Sequence, residues 1–136
     1  MIYIYDASFV GALIIPDEKN SAVDKANNAI DENDIICVPQ LLWYEVANIF
    51  NNLLRRKRFG SDEITHLFKI ISAINFTTDS ETGVNYSMKI WDISNKYGLS
   101  AYDAAYLELA HRKKAILCTL DEDLINAAKT MGVRVI

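Results

Sequence analysis

Four carboxylates occupy positions in this sequence where an acid is chemically useful. Asp6 ends the short apolar run Ile2-Tyr3-Ile4-Tyr5, and Asp121 follows the run Ala115-Ile116-Leu117-Cys118-Thr119. Both runs read as strands, so both acids fall just past a strand end, where a parallel α/β sheet opens its ligand crevice. Asp103 projects between Tyr106, Leu107 and Ala110 on the apolar face of a helix predicted from Ser100 to about Lys113. An unpaired carboxylate is costly there. Glu45 borders the apolar stripe of a longer helix, in line with Asn48 and Asn52. Should these four acids converge, each pair at ~4 Å would repel by on the order of 4 kcal/mol at an effective dielectric of ~20. Convergence therefore calls for a divalent cation or shared protons. All-oxygen ligands with no neighbouring Cys or His suit Mg²⁺ or Mn²⁺ rather than tetrahedral zinc. His66 projects away from the buried side of its helix and His111 adjoins basic residues, so neither reads as a ligand. One or two hard cations held by carboxylates orient a water and stabilise charge on a phosphodiester. The predicted reaction is metal-assisted phosphodiester hydrolysis.

Each acid also has a local structural reading. Asp6, Asp121 and the nearby Asp123 can cap helix N-termini, where acids suit the positive end of the dipole. Ser100-x-x-Asp103 resembles a capping box with Asp in place of the usual Glu or Gln. Periodicity alone places Glu45 on the surface. Capping and cation binding are compatible, because a helix N-terminus keeps a carboxylate ionised. Thr119, beside Asp121, is placed to hold a water or a phosphate oxygen, or is an ordinary strand-end threonine.

The basic residues fall into two runs, Arg55-Arg56-Lys57-Arg58 and Arg112-Lys113-Lys114, together seven of the 14 Lys and Arg. Both lie at predicted helix C-termini, so they complement a dipole, contact phosphates, or do both. Net charge is −4, so any polyanion contact must rest on such local patches.

The elements that would position these groups alternate regularly. A strand at residues 2–5 is followed by a helix from Ala7 to Leu13, a weakly amphipathic helix from Asn20 to Asn33, and a strand at Ile35–Val38 closed by Pro39. A long helix runs from Gln40 to about Arg58 on Leu42, Val46, Ile49, Phe50, Leu53 and Leu54. After Phe59-Gly60, Ser61 opens a helix on Ile64, Leu67, Phe68 and Ile71, and Ile74–Thr77 reads as a strand. A helix is predicted from Asp79 to Tyr97, tolerating Gly83 and stopping at Gly98. The helix capped by Ser100, a strand at 115–119, a helix from Asp121 to Lys129 and a terminal strand at Val133–Ile136 complete the chain. Near-continuous apolar strands alternating with helices specify an α/β fold: a single three-layer α/β/α domain over residues 1–136 with a central, mostly parallel sheet of four to five strands.

At 136 residues, 51% hydrophobic and 24% charged, the chain has material for one domain with a real core, which excludes a disordered or repeat protein. Cys37 and Cys118 each lie in an apolar run and read as buried thiols of a reducing compartment. No stretch reaches the ~18 apolar residues of a membrane span, and Asp6 interrupts the apolar start too early for a signal peptide, so a cytoplasmic protein without membrane contact is expected.

Four segments together resemble the PIN-domain ribonucleases, specifically the VapC toxins of type II toxin–antitoxin systems: Tyr5-Asp6-Ala7-Ser8, Glu45-Val46-Ala47-Asn48, Leu99 to Leu107, and Thr119 to Leu124. They span nearly the whole chain in the family's order. The resemblance implies that Asp6, Glu45, Asp103 and Asp121 form an acidic metal site, with Ser8 and Thr119 in support and Asp123 as the alternative to Asp121. It further implies Mg²⁺ or Mn²⁺ dependence, endonucleolytic RNA cleavage, a homodimer and a cognate antitoxin. The apolar residues of 41–54 and 64–71 are candidates for clamping that antitoxin. Other readings remain: a PIN nuclease of RNA processing without an antitoxin, or an interaction module whose acids only cap helices. A haloacid dehalogenase-type phosphatase needs an Asp where Ser8 stands, and a receiver domain needs paired early acids and a late Lys that this chain lacks.

Overall fold

The computed structural model describes residues 1–136. Five parallel strands form one sheet in the order β3-β2-β1-β4-β5: β1 Ile2–Tyr5, β2 Ile35–Val38, β3 Phe76–Thr78, β4 Ile116–Cys118 and β5 Arg134–Val135. The helices are α1 Ala7–Ile14, α2 Ser21–Asn28, α3 Leu41–Arg55, α4 Ser61–Ser72, α5 Val84–Tyr97, α6 Ala101–Lys113 and α7 Glu122–Met131. No helix is long and apolar enough to cross a membrane.

The strand order reverses about β1. The chain steps from β1 to β2 to β3 in one direction, then returns to place β4 on the other side of β1. Right-handed crossovers therefore send α1 to α4 to one face of the sheet and α5 to α7 to the other. The packing agrees: α1 touches α2, α3 and α4, while α6 touches α5, α7, β1 and β4. The register pairs Ile4 with both Cys37 and Leu117, and Tyr5 with Cys118, which makes β1 fully internal. Ile4, Tyr5 and Leu117 are entirely buried. Truncating such a residue to Ala typically costs about 2–5 kcal/mol, so the centre of the sheet is rigid support for whatever its ends carry.

The predicted elements are all present, with three boundaries shifted by three residues or more. The second helix ends at Asn28 because residues 31–34 form a turn of their own: Asp31 Oδ1 accepts from Asn33 N at 3.0 Å, and Asp34 Oδ2 accepts from Asp31 N at 3.0 Å. The long helix ends at Arg55, and Lys57 takes φ 54°, which stops it short of Arg58. The helix expected from Asp79 begins only at Val84, since Gly83, at φ 93° and ψ −177°, adopts a conformation a helix interior excludes. Residues 79–83 are instead a strap whose first amide donates to Val38 O at 2.8 Å, lengthening the sheet edge by one bond. Both cysteines are buried free thiols, and burial, then the charge of Asp6, pushes Cys118 up to about 12.

Candidate active site

The reversal point between β1 and β4 is where an open parallel sheet forms its crevice, and Asp6 and Thr119 stand on its two lips. Asp6 stops β1 and starts α1: its Oδ1 accepts from Phe9 N at 2.8 Å and from Ser8 Oγ at 2.7 Å. Its Oδ2 accepts from the hydroxyl of Thr119, which in turn accepts from Asp121 N at 3.0 Å. Ser8 Oγ accepts from Leu120 N at 3.0 Å. Two hydroxyls thus stitch the β1 and β4 loops together around one buried carboxylate. Asp121 caps α7 by accepting from Leu124 N at 2.9 Å.

The other two acids arrive on helices from opposite faces of the sheet. Glu45, one turn into α3, is half-buried, and its Oε1 accepts from Tyr106 Oη at 2.7 Å. That bond joins α3 to α6 across 61 residues of sequence. Asp103 lies in the first turn of α6, where Ser100 Oγ caps by accepting from Asp103 N at 3.1 Å.

The carboxylates act on one another. Burial raises the pKa of Asp6, with Asp121 adding to it, while hydrogen bonds from Thr119, Ser8 and Phe9 oppose the rise. Burial raises Glu45, opposed by the Tyr106 hydroxyl and reinforced by the charges of Asp103 and Asp6. Asp103 is raised by burial and then by Asp121, with Asp6 and Asp123 weaker contributors. Asp121 bears on both Asp6 and Asp103, whereas Asp123 bears only on Asp103 and is exposed. Burial first and neighbouring charge second thus disfavour the ionised forms of Asp6, Glu45 and Asp103, and protonation or a cation relieves both.

The acids share an edge without closing into a cage. No three Asp, Glu, His or Cys side chains anywhere in the chain approach closely enough to hold an ion as they stand. The donor chemistry nevertheless fits a hard dication. Mg²⁺ characteristically takes one or two carboxylates and keeps several waters, so three converging protein ligands are not demanded. Asn48 is exposed one turn beyond Glu45.

The basic candidates divide. Arg112 is held by acids: its Nε donates to Glu108 Oε1 at 2.8 Å, and its Nη1 and Nη2 donate to Asp79 at 3.2 and 2.7 Å. Arg58 pairs with Asp17 at 2.7 Å and Glu18 at 3.2 Å. Both are therefore engaged within the fold, while Lys113 lies 4.0 Å from Asp79. Arg55, Arg56, Lys57 and Lys114 are exposed. Two residues escaped the reading of the sequence. Tyr106 read only as part of an apolar face, and nothing in its spacing announces its bond to Glu45. Glu108, a polar residue on the side of its helix away from Asp103, is only 5% exposed; its i,i+4 spacing to Arg112 is the available signal.

Comparison with known proteins bears on the fold and the family. Ribonuclease VapC3 of Pyrobaculum aerophilum is 27% identical over 124 residues, covering 91% of this chain and 92% of that protein. Among solved structures, VapBC2 from Rickettsia felis, bound to a DNA fragment from its promoter, superposes with a TM-score of 0.73 at 14% identity, over 100% of this chain and 98% of that one. VapC20 of Mycobacterium tuberculosis, a sarcin-ricin loop cleaving toxin, gives a TM-score of 0.68 at 15% identity, over 93% and 95%. At such identities the two structures speak for the fold. The PIN-domain model matches residues 3–130, so acids, crevice and both helical layers all fall inside the match, and the chain belongs to the PIN-domain family.

Proposed function

We propose that this protein is a divalent-metal-dependent endoribonuclease and the toxin of a type II toxin–antitoxin pair. The observation that carries the proposal is that Asp6, Glu45 and Asp103, from three separate elements, are each raised by burial and then by the charge of a neighbouring acid, with no cation of the protein set against them. Helix capping accounts for Asp6 and Asp121, but it does not account for Glu45, whose half-burial serves no cap. A merely structural module has no use for that repulsion.

Asp6, Glu45, Asp103 and Asp121 would hold Mg²⁺ or Mn²⁺. When bound, such a cation supplies Lewis-acid stabilisation of the phosphoryl oxygens and lowers the pKa of an attacking water. The chain's own residues do the positioning. Thr119 and Ser8 fix the Asp6 carboxylate by donating to both its oxygens, and Tyr106 fixes Glu45. Asp103, on the first turn of α6, is the acid left for accepting a proton or reaching the cation. RNA as substrate is supported by the relationship to Ribonuclease VapC3.

The antitoxin is supported by likeness to the VapBC2 assembly. A surface for it is offered by α3 and α4, where Leu54 and Phe68 are exposed and Phe68 packs edge-on against Phe50 at 4.7 Å. Phe68→Asp is expected to weaken capture of a small DNA-binding protein encoded beside this gene while leaving cleavage intact. The absence of such a neighbour would favour an RNA-processing nuclease. The direct test of the reading is incubation of the purified chain with single-stranded RNA in Mg²⁺, in Mn²⁺ and in EDTA. Cleavage confined to the metal-containing reactions and lost in Asp103→Asn supports it. Cleavage indifferent to EDTA, or none with either metal, overturns it.

A further inference from the structure

A second opening lies on the same edge of the sheet, beyond β2 and β3, and none of the four acids lines it. It is a cavity of about 630 Å³ bounded by α3, the 79–83 strap, α5 and the start of α6. That is within the range of roughly 300–1,000 Å³ that ligand pockets occupy. Its walls carry three tyrosines, Tyr44, Tyr86 and Tyr102. Tyr44 immediately precedes Glu45 and is 79% exposed; Tyr102 immediately precedes Asp103 and is 66% exposed. Packing within one chain does not explain large aromatic side chains so exposed beside Glu45 and Asp103.

The polar lining narrows the occupant. Asp79 is turned onto Arg112 and lies near Lys113, so its charge is answered within the protein. Glu81 is exposed on the wall, where its carboxylate can accept from N–H groups. A phosphate is repelled both by Glu81 and by the neighbouring acids. A neutral, flat, aromatic group with N–H donors is not. Single-stranded RNA presents such groups as unstacked bases, and proteins that read it stack those bases on aromatic side chains.

We propose that this cavity takes one unpaired nucleobase of the substrate strand, stacked on Tyr44 and Tyr102, and so determines which phosphodiester reaches the acids. The inference rests on the ribonuclease reading and adds the residues that would set its specificity. Because each tyrosine is covalently adjacent to an acid, through α3 in one case and α6 in the other, a seated base fixes the register of the strand against the site.

The test uses full-length protein on the Asp6→Asn background, which reads binding without cleavage, with fluorescein-labelled unstructured RNA followed by anisotropy. Tyr44→Ala and Tyr102→Ala are expected to weaken binding by about 5- to 150-fold, the range of a lost base–aromatic stack. Tyr44→Phe and Tyr102→Phe keep the ring and should stay within about twofold of the background, since stacking is carried by the ring face. In a series of RNAs with one abasic site moved along the strand, a single position should reproduce the loss, and the alanine variants should lose nothing more there. Unchanged affinity in both alanine variants overturns the proposal. So does a shift from dimer to monomer in sedimentation with affinity per chain unchanged, which would make the cavity a contact between copies. Cleavage separates the two levels of the argument. If the otherwise unaltered chain cuts RNA and the alanine variants keep its KM and its choice of linkage, the cavity assignment falls alone. If that chain cuts no RNA, the nuclease reading falls, and anisotropy still decides the cavity.

Discussion

Two groups of buried and half-buried carboxylates in this fold meet different partners. Asp79 and Glu108 are both directed onto Arg112, which bridges the end of β3 to α6. Burial works to raise Asp79, but the hydrogen bonds and charge of Arg112 outweigh it and hold the acid below the usual carboxylate range. Asp6, Glu45 and Asp103 are also raised by burial and are answered only by hydroxyls and a backbone amide, so they finish above their ordinary values. The difference is one guanidinium. Where it stands, acids fasten an element; where it is missing, acids keep an unanswered charge that a cation or a proton must meet.

The largest effect should come from removing one of the unanswered charges. Asp6→Asn is expected to lower RNA cleavage by on the order of 10³-fold or more, the scale on which residues acting as a unit fail. The amide oxygen can still accept from Phe9 N, so thermal unfolding without metal should be nearly unchanged. Loss of cooperative unfolding in this variant would reassign Asp6 to the fold. The matching removal on the other side is Arg112→Met. It strands Asp79 and Glu108, whose side chains are 9% and 6% exposed, and should cost about 2–4 kcal/mol in urea unfolding, near the usual penalty for breaking a buried pair. Adding Asp79→Asn and Glu108→Gln to Arg112→Met should recover part of it. An Arg112→Met protein as stable as the parent would remove the distinction between the two groups.

Their signs also separate on titration. The raised acids bind protons more tightly in the folded state, so their contribution to stability is complete below the unfolded value of about 4 and is lost as pH rises through the folded values. Asp79 runs the other way, its contribution present above the unfolded value and lost as pH falls. In EDTA the acidic edge therefore becomes a growing liability toward neutral pH. Mn²⁺ should raise the Tm more at pH 7.5 than at pH 5, where protons already occupy the same carboxylates. At 100 times its Kd, an ion adds about 2.7 kcal/mol. Glu45→Gln should shrink the increment, and an equal increment at both pH values would count against a cation at this edge.

How far the sequence discloses this contrast depends on how local each signal is. Asp6, Thr119 and Asp121 are legible because a strand end and a helix start adjoin in sequence, and chain direction alone brings β1 and β4 to a common edge. Glu45 is half legible: its place beside the apolar stripe is visible, but its bond to Tyr106 spans 61 residues and has no local pattern. Arg112 shows the opposite error. A basic run at a helix end suits phosphate contact and ion pairing equally, and only the fold reveals that residues 79–83 are a strap presenting Asp79 to it. The helix predicted over that strap failed for a related reason. Periodicity tolerates a glycine, whereas the backbone at Gly83 needs a positive φ.

The smallest expected effect discriminates between two arginines of the same run. Arg56 and Arg58 line a shallow opening of about 290 Å³ that also includes Ser8, the residue bonded to Asp6. Arg58 is occupied by Asp17 and Glu18, so a phosphate would have to displace those partners to reach it. Arg56 is exposed at the end of α3, where the negative end of the helix dipole favours a cation. A backbone contact there should obey single-strand counterion release, in which each phosphate neutralised contributes a slope of about −0.7 to the dependence of log affinity on log salt. Arg56→Ala should therefore raise KM for RNA by roughly threefold and flatten that slope by somewhat less than one, with kcat preserved. Arg58→Ala should change neither. Equal losses in the two variants would mean that the ion pairs at Arg58 open for substrate, and the division between answered and unanswered charge would not extend to the basic rim.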